Sequence, residues 1–339
     1  MQTALTPRAC TAAAATLGAA AAAWYYFHYD WRPRRRAAAV VRAFQRDGIA
    51  VVRGFASASE CREMLASMDA LVEEWDPTET TSVFKTDASQ SAAQGKDDYF
   101  MTSGDAVRFF LEPGAMDEAS GALLVPKEEA LNKVGHALHV YEPAFACYAQ
   151  SAKLRALVRS LGLQAPDLVQ SMYIFKQPRI GGEVTPHQDS CFLRTDPPSC
   201  IGLWLALEDA TMDNGCLWAR PGSHAEPIRR HFAKQPDGTM GFDHRQPAHE
   251  WPAAEGSIPA GETPASLGFV PLTCKAGDLV LIHGQVDHLS LPNTSGKSRH
   301  TFQLHMVEGA AAGAKWHPKN WLQYPAGKPF PKFSPESQA

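Results

Sequence analysis

The sequence lacks any excess of positive charge and any paired pattern of cysteines. Its 339 residues include 32 Lys and Arg against 36 Asp and Glu, which gives a net charge of −4. Because nucleic-acid binding needs a basic surface, we expect no nucleic-acid partner. The seven cysteines are odd in number and none shows CxxC spacing, so neither a zinc knuckle nor a disulfide framework is predicted. A reducing, intracellular compartment fits this cysteine usage.

Charge is also missing from a long run near the amino terminus. Between Arg8 and Asp30 there is no Asp, Glu, Lys or Arg, and the run is mostly alanine with an aromatic cluster at its end, followed by arginines up to Arg36. As a helix, the run is long enough to span a hydrocarbon core of about 30 Å, and it would leave the following domain in the cytoplasm. An organelle transit peptide and an Ala-rich tail without a targeting role are the other interpretations. We therefore divide the chain into a leader, residues 1–36, and one domain, residues 37–339.

The first half of this domain shows helical patterns with a few strands between them. The spacing of apolar residues and the β-branched runs give the assignments. Helices are predicted at residues 37–45, 58–75 and 130–163, the last broken at Pro143, and strands at residues 48–55, 99–102 and 107–111. We expect this half to be a helical and mixed framework that holds a β core.

From residue 169 the pattern changes to short strands separated by turns. Strands are predicted at residues 171–176, 201–207, 279–283 and 300–307. Asn214-Gly215 predicts a two-residue hairpin, and residues 225–268 predict a long loop. Many short strands with evenly spaced turns indicate a mainly β fold with flanking helices, an α+β chain built around a jelly-roll, cupin-like core.

A His-x-Asp pair, His187 and Asp189, opens this strand series. Side chains at i and i+2 of an extended chain point to the same side, so both can reach one metal ion. Two imidazoles and one carboxylate on one face of a metal leave three positions open, which is the arrangement of non-haem Fe(II) oxygenases. A distant histidine must supply the third ligand. The candidates are His283, His288, His300 and His305.

Several further motifs surround the pair. They are His187-Gln188-Asp189, Gly202-Leu203-Trp204, Glu208-Asp209-Ala210, Asn214-Gly215-Cys216-Leu217, Pro221-Gly222-Ser223-His224 and Gly277-Asp278. Together with His288 and Arg299 they resemble the phytanoyl-CoA dioxygenase family, and the resemblance extends from about Phe44 to Trp321. It implies a double-stranded β-helix that binds Fe(II) and uses 2-oxoglutarate as cosubstrate.

The resemblance also implies roles for individual residues. It makes His187, Asp189 and His288 the catalytic iron ligands, with His288 chosen by its spacing from Arg299. The 2-oxoglutarate contacts that it implies are Lys133, Met172, Trp204, Ser290 and Arg299. The planar guanidinium of Arg299 offers two parallel donors to the distal carboxylate, and Ser290 adds a hydroxyl. Lys133 stands apart, because it lies in a predicted helix far from the other motifs.

The implied reaction is hydroxylation of a C–H bond in a small or lipid-like substrate, with O2 consumed and succinate and CO2 released. Asp189 favours hydroxylation over halogenation, because a halogenase of this type leaves that coordination position to a halide. Two alternatives are a non-catalytic binding or regulatory module on the same fold and a zinc hydrolase that uses the same ligands. The chain ends in Ser337-Gln338-Ala339 without a peroxisomal Ser-Lys-Leu signal, so peroxisomal residence is not expected from that end.

Overall fold

The structure is a computed structural model that describes residues 28–30, 35–80, 82–85, 94–117, 119–244 and 258–333. The predicted leader therefore lies largely outside the described residues. Within it the structure describes strand β1 (His28–Asp30) and the first two residues of the helix that begins at Arg35; the three interpretations of the leader stay predictions. Within the described ranges, no helix is long and apolar enough to cross a membrane.

The predicted elements that follow the leader are present with small shifts in their bounds. They are helix α1 (Arg35–Asp47), strand β2 (Ile49–Arg53) and helix α2 (Ala58–Glu74). A capping box starts α2: Ser57 Oγ accepts a hydrogen bond from the Glu60 backbone N–H at 3.2 Å, and the Ser57 N–H donates to Glu60 Oε2 at 2.7 Å. The local signals of this region were therefore sufficient to place its elements.

Two assignments in the next region were wrong. Asp98–Met101 is a short helix, α3, because the Asp97 carboxylate caps the N–H groups of Tyr99 and Phe100. Leu131–His136 is strand β4, within a stretch that was predicted to be helical throughout. All six residues of β4 are buried, and the strand lies between β3 (Val107–Leu111) and β5 (Pro166–Ile174). Pairing on both edges overrides the local preference for helix.

The helices of this region follow β4 directly. They are α4 (Leu138–Tyr141), α5 (Pro143–Ala149) and α6 (Ala152–Ser160). Proline occupies the first turn of α5, where its missing N–H costs no hydrogen bond, so the predicted break at Pro143 is a helix start. Residues of α1, α2, α5 and α6 pack into one hydrophobic cluster with the large sheet described next.

The remaining strands build the jelly-roll core. In chain order they are β6 (Val184–His187), β7 (Thr195–Asp196), β8 (Ile201–Ala206), β9 (Leu217–Ala219), β10 (Arg230–Lys234), β11 (Met240–His244), β12 (Val270–Leu272), β13 (Leu279–His283), β14 (His288–Ser290), β15 (Thr301–Glu308) and β16 (Lys315–Trp316). An eight-stranded sheet has the order β1-β2-β13-β8-β15-β5-β4-β3, and a four-stranded sheet has the order β12-β9-β14-β6. A second hydrophobic cluster joins residues of both sheets. The predicted mainly β, jelly-roll fold is confirmed.

Strand β8 shows how the two faces of the large sheet are used. Leu203 and Leu205 belong to the cluster under the helices, whereas Trp204 belongs to the cluster between the sheets. The alternation of apolar residues in this strand therefore reflects burial on both faces. Trp204 points toward the inside of the jelly roll, where the candidate site lies.

Two predictions about connections were wrong. Gly215 does sit in a turn with φ +82, but the flanking strands β8 and β9 belong to different sheets, so Asn214-Gly215 is a crossing between sheets and not a hairpin. The predicted loop 225–268 contains a real hairpin, in which β10 pairs antiparallel with β11. Residues 245–257 of that loop lie outside the described ranges.

Candidate active site

The three predicted iron ligands meet at the edge of the small sheet. His187 ends β6, Asp189 follows two residues later, and His288 begins β14, where it pairs directly with His187. Asp189 Oδ1 lies 3.6 Å from His187 Nε2 and 3.5 Å from His288 Nε2. All three ligand atoms lie within 4.8 Å of one another, close enough to share one ion. Of the four histidine candidates, His288 thus completes the cluster.

Backbone hydrogen bonds orient both imidazoles toward that ion. His187 Nδ1 lies 2.8 Å from the Thr185 carbonyl oxygen, and His288 Nδ1 lies 3.1 Å from the Val286 carbonyl oxygen. A carbonyl can only accept, so Nδ1 carries the proton in each ring and Nε2 is left as a ligand atom. Burial lowers the pKa of His288 to about 4, which keeps its ring neutral at physiological pH.

The Asp189 carboxylate is buried between the imidazoles of the two histidines. Its Oδ2 is buried and has no hydrogen bond within the described residues; His305 Nε2 is 3.4 Å away. A buried, charged oxygen without a donor is costly unless an ion binds it. The donor set therefore fits Fe(II).

Gly202 provides the space that this carboxylate occupies. A Cβ at Gly202 would lie 3.1 Å from Asp189 Oδ2 and 3.4 Å from Ile282 Cβ. We expect the Gly202→Ala variant to fold but to bind Fe(II) about 10-fold more weakly, a typical effect of disturbing the surroundings of a metal ligand. Gly241→Ala is the matched control, since its Cβ would meet only the Gln235 side chain, at 3.5 Å. Equal metal affinities in anaerobic titration of the two variants would contradict this reading.

All the predicted site residues line one cavity of about 160 Å³. Away from the three ligands, Arg299 is buried, with Nη1 3.2 Å from Thr301 Oγ1 and Nη2 3.5 Å from Ser290 Oγ. The guanidinium carbon lies 5.4 Å from the centre of the Trp204 ring. Burial lowers the pKa of Arg299 to about 10, so the group stays charged at neutral pH.

Two nitrogen donors here have no acceptor within the described ranges. They are Nε of Arg299 itself and Nε1 of the neighbouring Trp204. Both are buried and belong to residues that line the cavity. Buried donors in native proteins are mostly paired, so these two donors in the cavity wall are available to an anionic ligand. A carboxylate has the charge and the acceptor atoms that suit them, as expected for the distal end of 2-oxoglutarate.

Lys133 lies on strand β4 and lines the cavity. A helix had been predicted at this position. Lys133 Nζ lies 3.9 Å from Met172 Sδ, so these two predicted contacts are neighbours. Lys133 and Met172 thus join Trp204, Ser290 and Arg299 around a single space. Their assignment to 2-oxoglutarate stays a prediction.

Lys176 and Phe232 are two of the cavity residues that were not among the predicted site residues. Lys176 is buried, and its Nζ donates to the Gly182 carbonyl; burial holds its pKa well below the usual range. Phe232 comes from the β10–β11 hairpin, which had been assigned to a loop. A lysine at the end of the apolar run Ile174-Phe175 was the available signal for the first, and the sequence carried none for the second.

Comparison with known proteins identifies the family. The family model described as Phytanoyl-CoA dioxygenase (PhyH) matches residues 44–301. Phytanoyl-CoA dioxygenase domain-containing protein 1 of Bos taurus is 47% identical over 293 residues, which cover 85% of this chain and 95% of the relative. The chain belongs to the phytanoyl-CoA dioxygenase family. The protein of the same name in Mus musculus is 47% identical over 296 residues, with 86% and 96% coverage.

A solved structure confirms the fold. The epimerase SnoN, crystallised in complex with Fe3+, alpha ketoglutarate and nogalamycin RO, superposes with a TM-score of 0.56 at 15% identity and covers 88% of this chain and 98% of its own. At that identity the likeness concerns the jelly roll alone. Membership of the phytanoyl-CoA dioxygenase family makes the chain a 2-oxoglutarate-dependent non-haem iron dioxygenase, as predicted, and the His187, Asp189 and His288 cluster suits its iron.

Proposed function

We propose that this dioxygenase hydroxylates a C–H bond in a small or lipid-like substrate bound against the apolar side of the cavity. The observation that carries the proposal is the joint presence, in one cavity, of a three-ligand metal cluster and a buried guanidinium with unpaired donors beside it. Together they match the two ends of a chelating dicarboxylate.

The residues divide the work as follows. His187, Asp189 and His288 would hold the Fe(II) ion. Arg299 and Ser290 would bind the distal carboxylate of the cosubstrate, and their burial would exclude water from it. When bound, Fe(II) and 2-oxoglutarate together supply the activation of O2 and the oxidising power, with succinate and CO2 as products.

The apolar side of the cavity supports a hydrocarbon substrate group. Its lining residues are Phe84, Phe100, Phe192, Leu193, Phe232 and Trp321. The Phe192 ring centre lies 6.0 Å from that of His187 and 5.9 Å from that of Phe232, so this wall begins beside an iron ligand. The name of the curated relatives refers to phytanoyl-CoA, an acyl thioester, which agrees with an apolar chain at this wall.

Succinate formation by the purified full-length chain tests the proposal. With Fe(II), 2-oxoglutarate and O2 we expect succinate, and its rate should rise when an accepted substrate is added; acyl-CoAs head the screen. Omission of O2 and replacement of Fe(II) by Zn2+ are the controls. Hydrolysis with Zn2+ but not Fe(II) would favour a zinc hydrolase. No succinate from folded, iron-loaded protein would favour a binding module.

A further inference from the structure

Lys133 has unusual surroundings for a lysine. It is 2% exposed, and within the described part of the chain no carboxylate forms an ion pair with it. Its Nζ lies 3.3 Å from the centre of the Phe84 ring and 3.1 Å from His136 Nε2. Burial holds the pKa of Lys133 well below its usual range. An anion in the cavity would restore the ammonium form, because an opposite charge favours it.

His136 is fixed on its other side by Ser103. Ser103 Oγ lies 2.6 Å from the Phe100 carbonyl oxygen and 2.8 Å from His136 Nδ1. The single hydroxyl hydrogen goes to the carbonyl, which can only accept, so Oγ must accept from an Nδ1–H. His136 Nε2 then has a free lone pair and accepts from the Lys133 amino group. The Lys133 amino group thus donates to His136, His136 donates to Ser103 Oγ, and Ser103 donates to the Phe100 carbonyl.

A second buried serine–histidine pair shows what is particular to this one. His139 Nδ1 lies 2.8 Å from Ser171 Oγ, and the ring is as well buried as that of His136. His139 contacts no lysine among the described residues and does not line the cavity. The Ser103–His136 pair differs because His136 also contacts Lys133, a residue that lines the cavity.

We propose that His136 is a positioning residue, which Ser103 orients and which directs the Lys133 amino group toward a carboxylate of 2-oxoglutarate. One N–H of Lys133 is committed to His136, and its position over the Phe84 ring favours the cation further. Met172 Sδ lies 3.9 Å from the same Nζ, and the remaining N–H of the ammonium form is available to a ligand in the cavity. This inference rests on the proposed use of 2-oxoglutarate and adds residues that do not touch the cosubstrate themselves.

Two substitutions at position 136 separate the positioning role from a structural one. In His136→Asn, the side-chain amide lies where Nδ1 was, so the contact with Ser103 is kept and the contact with Lys133 is lost. In His136→Gln, the amide reaches the place of Nε2, and its carbonyl oxygen can accept from Lys133. We expect the dissociation constant for 2-oxoglutarate, measured by anaerobic calorimetry on Fe(II)-loaded protein, to rise about 10- to 100-fold in the first variant. In the second it should stay within about threefold of wild type.

The controls address folding and the metal. His139→Asn is the matched control and should leave both the dissociation constant and the iron content unchanged. If the Asn and Gln variants at position 136 bound 2-oxoglutarate equally weakly, or if both bound it as well as the wild type, the positioning role would be overturned. Binding of 2-oxoglutarate to the wild type would still support the proposed function. Absence of 2-oxoglutarate binding to the wild type would overturn both. Thermal unfolding identifies any variant whose fold is lost. Ser103→Ala then provides a second test, because it frees the His136 imidazole to change tautomer. This variant should also bind 2-oxoglutarate more weakly.

Discussion

We expect the Asp189→Ala variant to lose iron binding and, with it, oxygen-dependent succinate formation. Asp189 Oδ1 is the atom that lies within 3.6 Å of both histidine Nε2 atoms, so its removal leaves two imidazoles without the anion that balances a divalent ion. Disturbing only the neighbours of a metal ligand already costs about 10- to 100-fold in affinity. Loss of the carboxylate itself should exceed that range. Anaerobic Fe(II) titration and a succinate assay measure the two effects.

Asp213→Ala is the matched control for this substitution, because Asp213 is an exposed aspartate on the turn before β9. It should keep wild-type metal affinity and turnover. Full-rate decarboxylation of 2-oxoglutarate by Asp189→Ala would contradict the ligand role. Added chloride gives a further test of Asp189→Ala. In a halogenase of this type a halide takes the coordination position of the carboxylate, and an alanine leaves the same position open. We expect chloride not to restore hydroxylation.

Two members of the candidate metal cluster could be related from the sequence because their geometry is local. His187 and Asp189 are two residues apart on extended chain, and this alone places both side chains on one side. The third ligand required the family's spacing, since four histidines in the last strands were equivalent on residue type. The structure separates them by pairing: His288 lies opposite His187 across the β6–β14 ladder. Ladder register is a non-local property that no single segment encodes.

The cavity wall was much less predictable. Strand β4 is buried on both faces, so it shows no alternation, and its sequence was absorbed into the helical pattern that follows it. Lys133 was therefore related to the site only through the family resemblance, and His136 had no visible relation to it. The surroundings of Lys133 become apparent only when the sheet order is known, because pairing with β5 places β4 at the cavity. Sequence patterns report burial, but not which buried residues face each other.

The second large effect is expected at Asp287, the residue before the predicted iron ligand His288. Asp287 is completely buried and accepts from Arg220 Nη2 at 2.5 Å and from Arg229 Nη1 at 3.0 Å. Removing one member of a buried ionic network typically costs about 3–5 kcal/mol, because the remaining charges lose their compensation. We expect Asp287→Asn, which keeps the shape and removes the charge, to lower the free energy of unfolding by about that amount. Denaturant unfolding of the metal-free protein measures it.

Glu226 supplies the control within the same network. It binds Arg220 with two hydrogen bonds of 2.6 Å, but its side chain is 31% exposed, so water can replace much of what it contributes. Glu226→Gln should therefore cost well below the Asp287 value, as expected for partly exposed ion pairs. Similar losses in the two variants would mean that burial of Asp287 is not what makes the network important.

The same network also reaches the other two predicted iron ligands, which makes its role in metal binding testable. The backbone N–H of Arg229 donates to Gln188 Oε1 at 3.2 Å, and Gln188, between His187 and Asp189, donates to the Gln285 carbonyl at 2.9 Å. Iron stabilises the folded state by an amount that depends on its dissociation constant. At one fixed Fe(II) concentration, Asp287→Asn should therefore gain less stability from iron than the wild type. An equal gain would mean that Asp287 supports the fold without orienting the ligands.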